Sequence, residues 1–174
     1  MASVTPLFKS GGILDENNYR PVSILPTVSK LAERVICNQL MWYLVSCDIV
    51  CPEQHGFRPA HSTESAMLDA VSYISSHVDR GQVVSLIELL TPHKAFDSVE
   101  HGRLVDKLGW YGIYPWWFAD WLSYRKQTVK GGLEPLPVSH GVVQGSIIGP
   151  ILFTIFTNDL PSHIPCGKMV MHVR

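Results

Sequence analysis

The chain has 174 residues, of which 46% are hydrophobic and 17% charged, which is enough for one domain with a buried core and too apolar for a disordered chain. A formal net charge of −1 excludes a general nucleic-acid binder, which carries a clear basic excess, so any such contact must come from a local patch. Cysteines at 37, 47, 51 and 166 form no Cys-x-x-Cys pair; they are too sparse for a secreted disulfide scaffold and fit a reducing compartment.

No signal-peptide pattern opens the chain, and its apolar runs are too short to span a bilayer, so an intracellular protein, nuclear or cytoplasmic, is expected. Ser3–Asn18 is polar, with Gly11-Gly12 marking a loop or hairpin turn, and Arg20-Pro21 and Pro26 keep the next stretch extended. Thr27 is expected to cap a helix whose apolar face is Val28, Leu31, Ala32, Val35, Ile36, Leu40 and Leu44, ending before Cys51-Pro52. Gln54–Ala60 reads as a short loop or strand around Gly56. A second helix runs from Ser62, with Met67, Ala70, Val71, Ile74 and Val78 on one side. Asp79-Arg-Gly81 then turns the chain into Val83–Leu90, a continuous apolar run expected as a strand covered on both faces.

Ser98 or Asp97 caps a third predicted helix through Val99, Leu104, Val105 and Leu108. Tyr114–Tyr124 carries three tryptophans and reads as a short, well-buried helix. Arg125–Lys130 is expected as an exposed strand and Gly131-Gly132 as a hairpin turn. The last predicted helix, Ser146–Leu160, is bent or offset at Pro150. In front of it, Gly141-Val-Val-Gln-Gly-Ser146 is a tight loop feeding a helix N-terminus, whose free N–H groups suit an anion. Cys47-x-x-x-Cys51-x-x-x-His55, with His61 as a guessed further ligand, resembles half of a zinc site; its plainer reading is ordinary buried thiols. A phosphate loop lacks the Gly-Lys-Ser/Thr that should follow it, and a serine hydrolase lacks Gly-x-Ser-x-Gly.

Asn18-Tyr-Arg-Pro-Val-Ser-Ile-Leu-Pro26, Gln54-His-Gly-Phe-Arg58, Lys94-Ala-Phe-Asp-Ser-Val99, the Gly141–Phe153 loop and Asn158-Asp-Leu-Pro161, in that order, resemble the reverse transcriptase of LINE-like non-LTR retrotransposons. The resemblance covers about Val4 to Lys168. It implies an α+β fold, the fingers (about 1–80) and partial palm (about 81–174) of a right-hand polymerase without its thumb. It also implies RNA-templated DNA synthesis by two-metal nucleotidyl transfer, with Mg²⁺, an RNA template, a DNA primer and a dNTP as the parent's cofactor and partners. By the same resemblance Arg20, Arg58 and Lys94 are cations for the triphosphate, Phe96 packs under the sugar, and Gln144 and Gly145 contact nucleotide and template.

Two departures bear on the chemistry. The first metal-binding aspartate belongs four residues before Ala95, where Thr91 stands; Glu88, three residues further upstream, could serve only if Leu89–Thr91 bulged out. The second acidic box would fall after Met171, and no Asp or Glu follows Asp159. The expectation is a catalytically defective domain that binds no metal and binds nucleic acid weakly. The alternative is a non-catalytic remnant acting as a nucleic-acid or protein binding module, or without a selected role. Arg58, Phe96 and Gln144 are expected to converge on one cleft.

Overall fold

The computed structural model describes residues 2–85, 95–123, 126–129, 134–164 and 167–171. Strands β1 (Ala2–Phe8) and β2 (Tyr19–Ile24) form an antiparallel hairpin, with Phe8 opposite Tyr19 and Pro6 opposite Pro21. The paired prolines carry no N–H, so the ladder loses no donor it could have used there. The connecting loop turns at Gly11, in the left-handed region at φ 98°, where a Cβ would sit 2.7 Å from the Asn18 amide. Strand β3 (Lys126–Val129) pairs parallel to β1, and β4 (Leu136–Pro137) pairs antiparallel to β3, giving the sheet order β2-β1-β3-β4. The expected strand at 125–130 is therefore present, whereas Gly131 and Gly132 lie outside the described residues.

Among the described residues, five α-helices complete an α+β domain: α1 (Thr27–Ser46), α2 (Thr63–Val78), α3 (His101–Trp110), α4 (Pro115–Leu122) and α5 (Gly149–Thr157). Among the described residues no helix is long and apolar enough to cross a membrane. The core gathers Leu40 and Leu44 of α1, Leu104 and Leu108 of α3, Phe118 and Leu122 of α4, and the run Ile151–Ile155 of α5, with Val50, Val99, Val142 and Ile148 between them. Lys107 of α3 closes the end of α5: its ammonium donates to the Phe156 carbonyl and pairs with Asp159, where a cation offsets the negative end of the helix.

Several boundaries and faces differ from expectation. In α1 the expected residues Val28, Leu31 and Val35 are exposed, and the inward stripe runs through Glu33, Ile36, Cys37, Leu40 and Leu44. The helix carries two apolar stripes, and helical spacing alone cannot say which meets the core. Pro26, not Thr27, is its N-cap residue. In α2, the helix expected from Ser62 is capped reciprocally by Ser62 and Ser65, yet Met67, Val71 and Val78 are exposed and Ala66 is the buried residue. Helix α3 begins later than expected. A separate 3-10 turn, Ala95–Ser98, comes first, and Glu100 takes the N-cap position expected of Asp97 or Ser98.

In α4 the tryptophans divide. Trp117 and Trp121 stack at 6.4 Å against the core, while Trp116 is exposed. Helix α5 starts at Gly149, with Pro150 in its first turn, where a missing N–H costs nothing; the proline opens the helix and does not bend it. Val83, expected to begin a buried strand, is 96% exposed. Residues 83–85 are irregular, and the rest of that strand lies outside the described residues.

Asn158 ties three segments together. Its Oδ1 accepts the Cys51 N–H at 2.9 Å, and its Nδ2 donates to the Ile49 carbonyl at 2.8 Å and to the Tyr111 hydroxyl at 3.1 Å. Replacing it with alanine strands buried polar groups on the turn after α1. Asn158→Ala is expected to cost about 2–3 kcal/mol, read as a lower urea midpoint at unchanged slope.

Candidate functional site

The segment Gly141–Gly149 is fixed from three directions. On one side is the 3-10 turn before α3: Gly141 N–H donates to the Val99 carbonyl at 2.7 Å, and Val142 N–H to the Phe96 carbonyl at 2.8 Å. His101 Nε2 lies 2.8 Å from the Gly141 carbonyl. On the second side is β2, where Ser23 N–H donates to the Gln144 carbonyl at 2.8 Å. The third side is α1, whose Glu33 carboxylate accepts the Ile147 N–H at 2.9 Å.

Two glycines make this fit possible. Gly141, at φ 88°, would press a Cβ to 2.8 Å from the Asp97 backbone, and Gly145, at φ 100°, to 2.6 Å from the Ser23 carbonyl oxygen. Both lie in the left-handed region and against backbone that cannot swing away, so neither tolerates a side chain.

The expectation of a free anion site at the start of α5 is corrected by these contacts. Ile147 N–H is taken by Glu33, and Gly149 N–H by the Ser146 hydroxyl at 3.0 Å, which in turn donates to the Val143 carbonyl at 2.8 Å. The positive end of the helix is met from within the chain.

The loop forms one wall of a cleft of ≈ 1070 Å³. The β1–β2 hairpin supplies Ile13, Leu14, Glu16, Tyr19, Pro21 and Ser23, and β3 supplies Lys126 and Gln127. Asp97, His140 and Gly141 to Gln144 form the opposite wall. The lining is mostly apolar, with a few polar groups converging on it, the general form of a ligand cleft.

Of the predicted residues, Gln144 lines this cleft, and Gly145 sits beside it on the loop. Phe96 joins the loop through its backbone, but its ring turns to the core. It packs on Phe153 at 4.7 Å and meets Phe57 edge-on at 6.4 Å, because a half-buried ring gains more from aromatic neighbours than from water. Arg58, next to Phe57, donates to the Cys51 carbonyl at 3.3 Å and is not among the residues lining the cleft. Arg20 is exposed on β2, between the lining residues Tyr19 and Pro21. Glu88, Thr91 and Lys94 lie outside the described residues.

The Cys47, Cys51, His55 and His61 group has other partners. His55 Nδ1 is 3.0 Å from the Ser65 hydroxyl, and the His55 and His61 rings meet at 5.2 Å. Among the described residues no three His, Cys, Asp or Glu side chains are grouped to hold a metal ion. Burial pushes the half-buried thiols of Cys37 and Cys51 up from their ordinary value.

Two features escaped the sequence reading. Glu33 is a carboxylate on the inward stripe of α1, visible only once that stripe is known. The other is long-range: Met171 pairs with the Gln54 segment, Met171 N–H donating to the Glu53 carbonyl at 2.8 Å and His55 N–H to the Met171 carbonyl at 2.9 Å. Lys168 reinforces that junction through its ion pair with Asp69.

The model of the family described as reverse transcriptase (RNA-dependent DNA polymerase) matches residues 9–173. The chain is 30% identical over 168 residues to a probable RNA-directed DNA polymerase from transposon BS of Drosophila melanogaster, covering 92% of this chain and 18% of that protein. It is 29% identical over 175 residues to the RNA-directed DNA polymerase from mobile element jockey of the same organism, covering 97% of this chain and 19% of the relative. A retrovirus-related Pol polyprotein from type-1 retrotransposable element R2 of Popillia japonica is 26% identical over 161 residues, covering 87% and 22%. The chain thus spans about a fifth of the length of these relatives.

The junction at Met171 contains a titratable group. Burial, aided by the His61 charge, holds the His55 imidazole below its ordinary value of 6.5, against the pull of Asp69. The folded state therefore favours neutral His55, and its contribution is complete above pH 6.5 and lost as pH falls through the lowered value. Asp69 and Asp159 are both held below 3.8, Asp69 chiefly by its hydrogen bond from Lys168 and Asp159 by Lys107 against burial, so they act only in stronger acid. Unfolding free energy measured by urea titration should decline from pH 6.5 downward. His55→Gln should flatten that first decline and leave the more acidic one.

Proposed function

Because the chain belongs to the reverse transcriptase (RNA-dependent DNA polymerase) family, we propose that its cleft is the place where a non-LTR retroelement's polymerase receives template and incoming nucleotide. In this reading, residues up to about 80 are the fingers and the remainder the front of the palm, and none of the described elements is assigned to a thumb. The observation that carries it is the loop at Gln144 and Gly145, clamped against Ser23 of β2 and forming a wall of a large cleft. Its Gln144 carbonyl is taken by the Ser23 N–H, which fixes the backbone and leaves the Gln144 side chain among the residues lining the cleft. Arg20, exposed between the lining residues Tyr19 and Pro21, is assigned as a cation near the triphosphate, and Phe96 as packing beneath the loop that faces the sugar; Arg58, held on the Cys51 carbonyl and absent from the cleft lining, is not assigned there.

The parent activity in this reading is RNA-templated DNA synthesis. That reaction uses two Mg²⁺ ions held by paired carboxylates, which stabilise the attacking and leaving oxygens. The donor set of this chain does not fit such a pair. Thr91 offers a neutral hydroxyl where the resemblance places an aspartate, and Asp97, the carboxylate in the cleft wall nearest that position in sequence, is already engaged within the protein. The 174-residue chain is therefore assigned as a nucleic-acid-facing scaffold that does not carry out polymerisation on its own.

Two measurements test this. Primer extension with Mg²⁺ or Mn²⁺ should show no template-dependent dNTP incorporation by the purified chain. Incorporation above a heat-killed control would overturn the assignment, and its loss in Glu88→Gln would identify Glu88 as a displaced ligand. Nucleic-acid binding should be weak, with a slope of log K against log salt on the order of −2 to −3, because a chain of net charge −1 offers few phosphate contacts. A slope steeper than about −5 would show a basic surface that the reading lacks.

A further inference from the structure

We propose that Glu33 is a positioning residue for the loop that carries Gln144, fixing its conformation through the backbone of Ile147. Glu33 and Cys37 stand one turn apart on the inward stripe of α1, and both meet the same loop residue. Glu33 Oε2 accepts the Ile147 N–H at 2.9 Å, and the Cys37 thiol donates to the Ile147 carbonyl at 3.8 Å. Both polar groups of one peptide residue are thus engaged by one face of one helix.

The cost of this arrangement argues for a purpose other than stability. Glu33 is 2% exposed, and its Oε1 has no hydrogen-bond partner among the described residues. A buried carboxylate with an idle oxygen is expensive, whereas a leucine in line with Leu40 and Leu44 would pack there without that cost. What a carboxylate does and a leucine cannot is hold one particular N–H, here beside the positive end of α5. Gln144 lies three residues before Ile147, and its own tie to the fold runs through its carbonyl to Ser23. Glu33 and Ser23 therefore pin the loop at both ends, with the cleft-lining residue at one of them. That this placement serves nucleic-acid contact rests on the function proposed above.

The test is residue-resolved amide hydrogen exchange on the 174-residue chain. Glu33→Ala and Glu33→Leu should speed exchange at Ile147 roughly ten-fold or more relative to the unaltered chain. Glu33→Gln, whose side-chain carbonyl can accept the same N–H, should restore most of the protection. Full protection in Glu33→Leu, or no gain for Gln over Leu, would overturn the proposal, since Glu33 would then only fill space. Should the apolar variants fail to fold, the unaltered chain supplies a second readout. The Ile147 amide proton should show the small temperature coefficient of a hydrogen-bonded N–H, and the coefficient of a free amide would overturn the proposal equally. Primer–template binding by the same variants reports on the underlying reading separately: faster exchange with unchanged binding would leave Glu33 as the positioning residue and remove nucleic-acid contact from the loop.

Discussion

The start of α5 is where the fold is decided. Ile148, Leu152 and Ile155 are fully or almost fully buried, so the helix must enter the core along a defined axis. The loop that feeds it has to make a sharp approach without leaving buried amides unpaired. It does so by borrowing the Val99 and Phe96 carbonyls and the Glu33 carboxylate from outside and by using its own Ser146 hydroxyl, while its Gln144 carbonyl takes the Ser23 N–H. Each bond that leaves the loop also fixes a distance between elements far apart in sequence. The same bonds that make α5 compatible with burial therefore set the spacing between β2, α1 and the turn before α3, and so set the wall of the cleft.

The segment after α1 and the residues near Met171 are joined by the same logic. Gln54 is 1% exposed and pairs as a bridge with Met171, while Lys168 reaches Asp69 on α2. Asn158 closes the remaining gap by bonding to the backbone at Ile49 and Cys51 and to the Tyr111 hydroxyl. A small sheet and short helices bury limited apolar area, so these polar ties carry much of the long-range specification, most strongly at the buried Gln54 and Asn158, where water is excluded, and least at the exposed Lys168–Asp69 pair.

Local signals in the sequence are borne out where the chemistry is local. The glycine turn at Gly11-Gly12, the helix start at Ser62 and the turn at Gly81 appear as expected, since each depends on a few adjacent residues. Faces are harder to read. Helices α1 and α2 each leave an apolar stripe exposed, Val28, Leu31, Val35 and Trp42 on one, Met67, Leu68 and Val71 on the other. Amphipathic spacing identifies such stripes but does not rank them, because the ranking depends on what the rest of the fold offers. At the site, Gln144 and Gly145 were legible because a tight loop announces itself through glycine. The turn of the Phe96 ring towards Phe153 was not, since aromatic partners are a tertiary fact. Glu33 was hidden for the same reason: one charge in a helix usually marks the solvent side, and only the packed structure shows this one facing inward.

Family membership and chemistry rest on different residues in this chain. The motifs that carry the family match do so through backbone and packing: Gly141 and Gly145 through close approach, Asn158 through three hydrogen bonds, Phe96 through a ring in the core. Changing any of these disturbs the fold. A metal ligand is different, because its carboxylate is held for the ion and contributes little to packing, so such a group can be exchanged with little effect on a fold. A scaffold can thus keep the features by which it is recognised whether or not it carries out its family's reaction. The distinction has a direction: substitutions at Gly145 or Asn158 should be read first as changes in stability, and substitutions at Gln144, which lines the cleft, as changes in what the cleft can do.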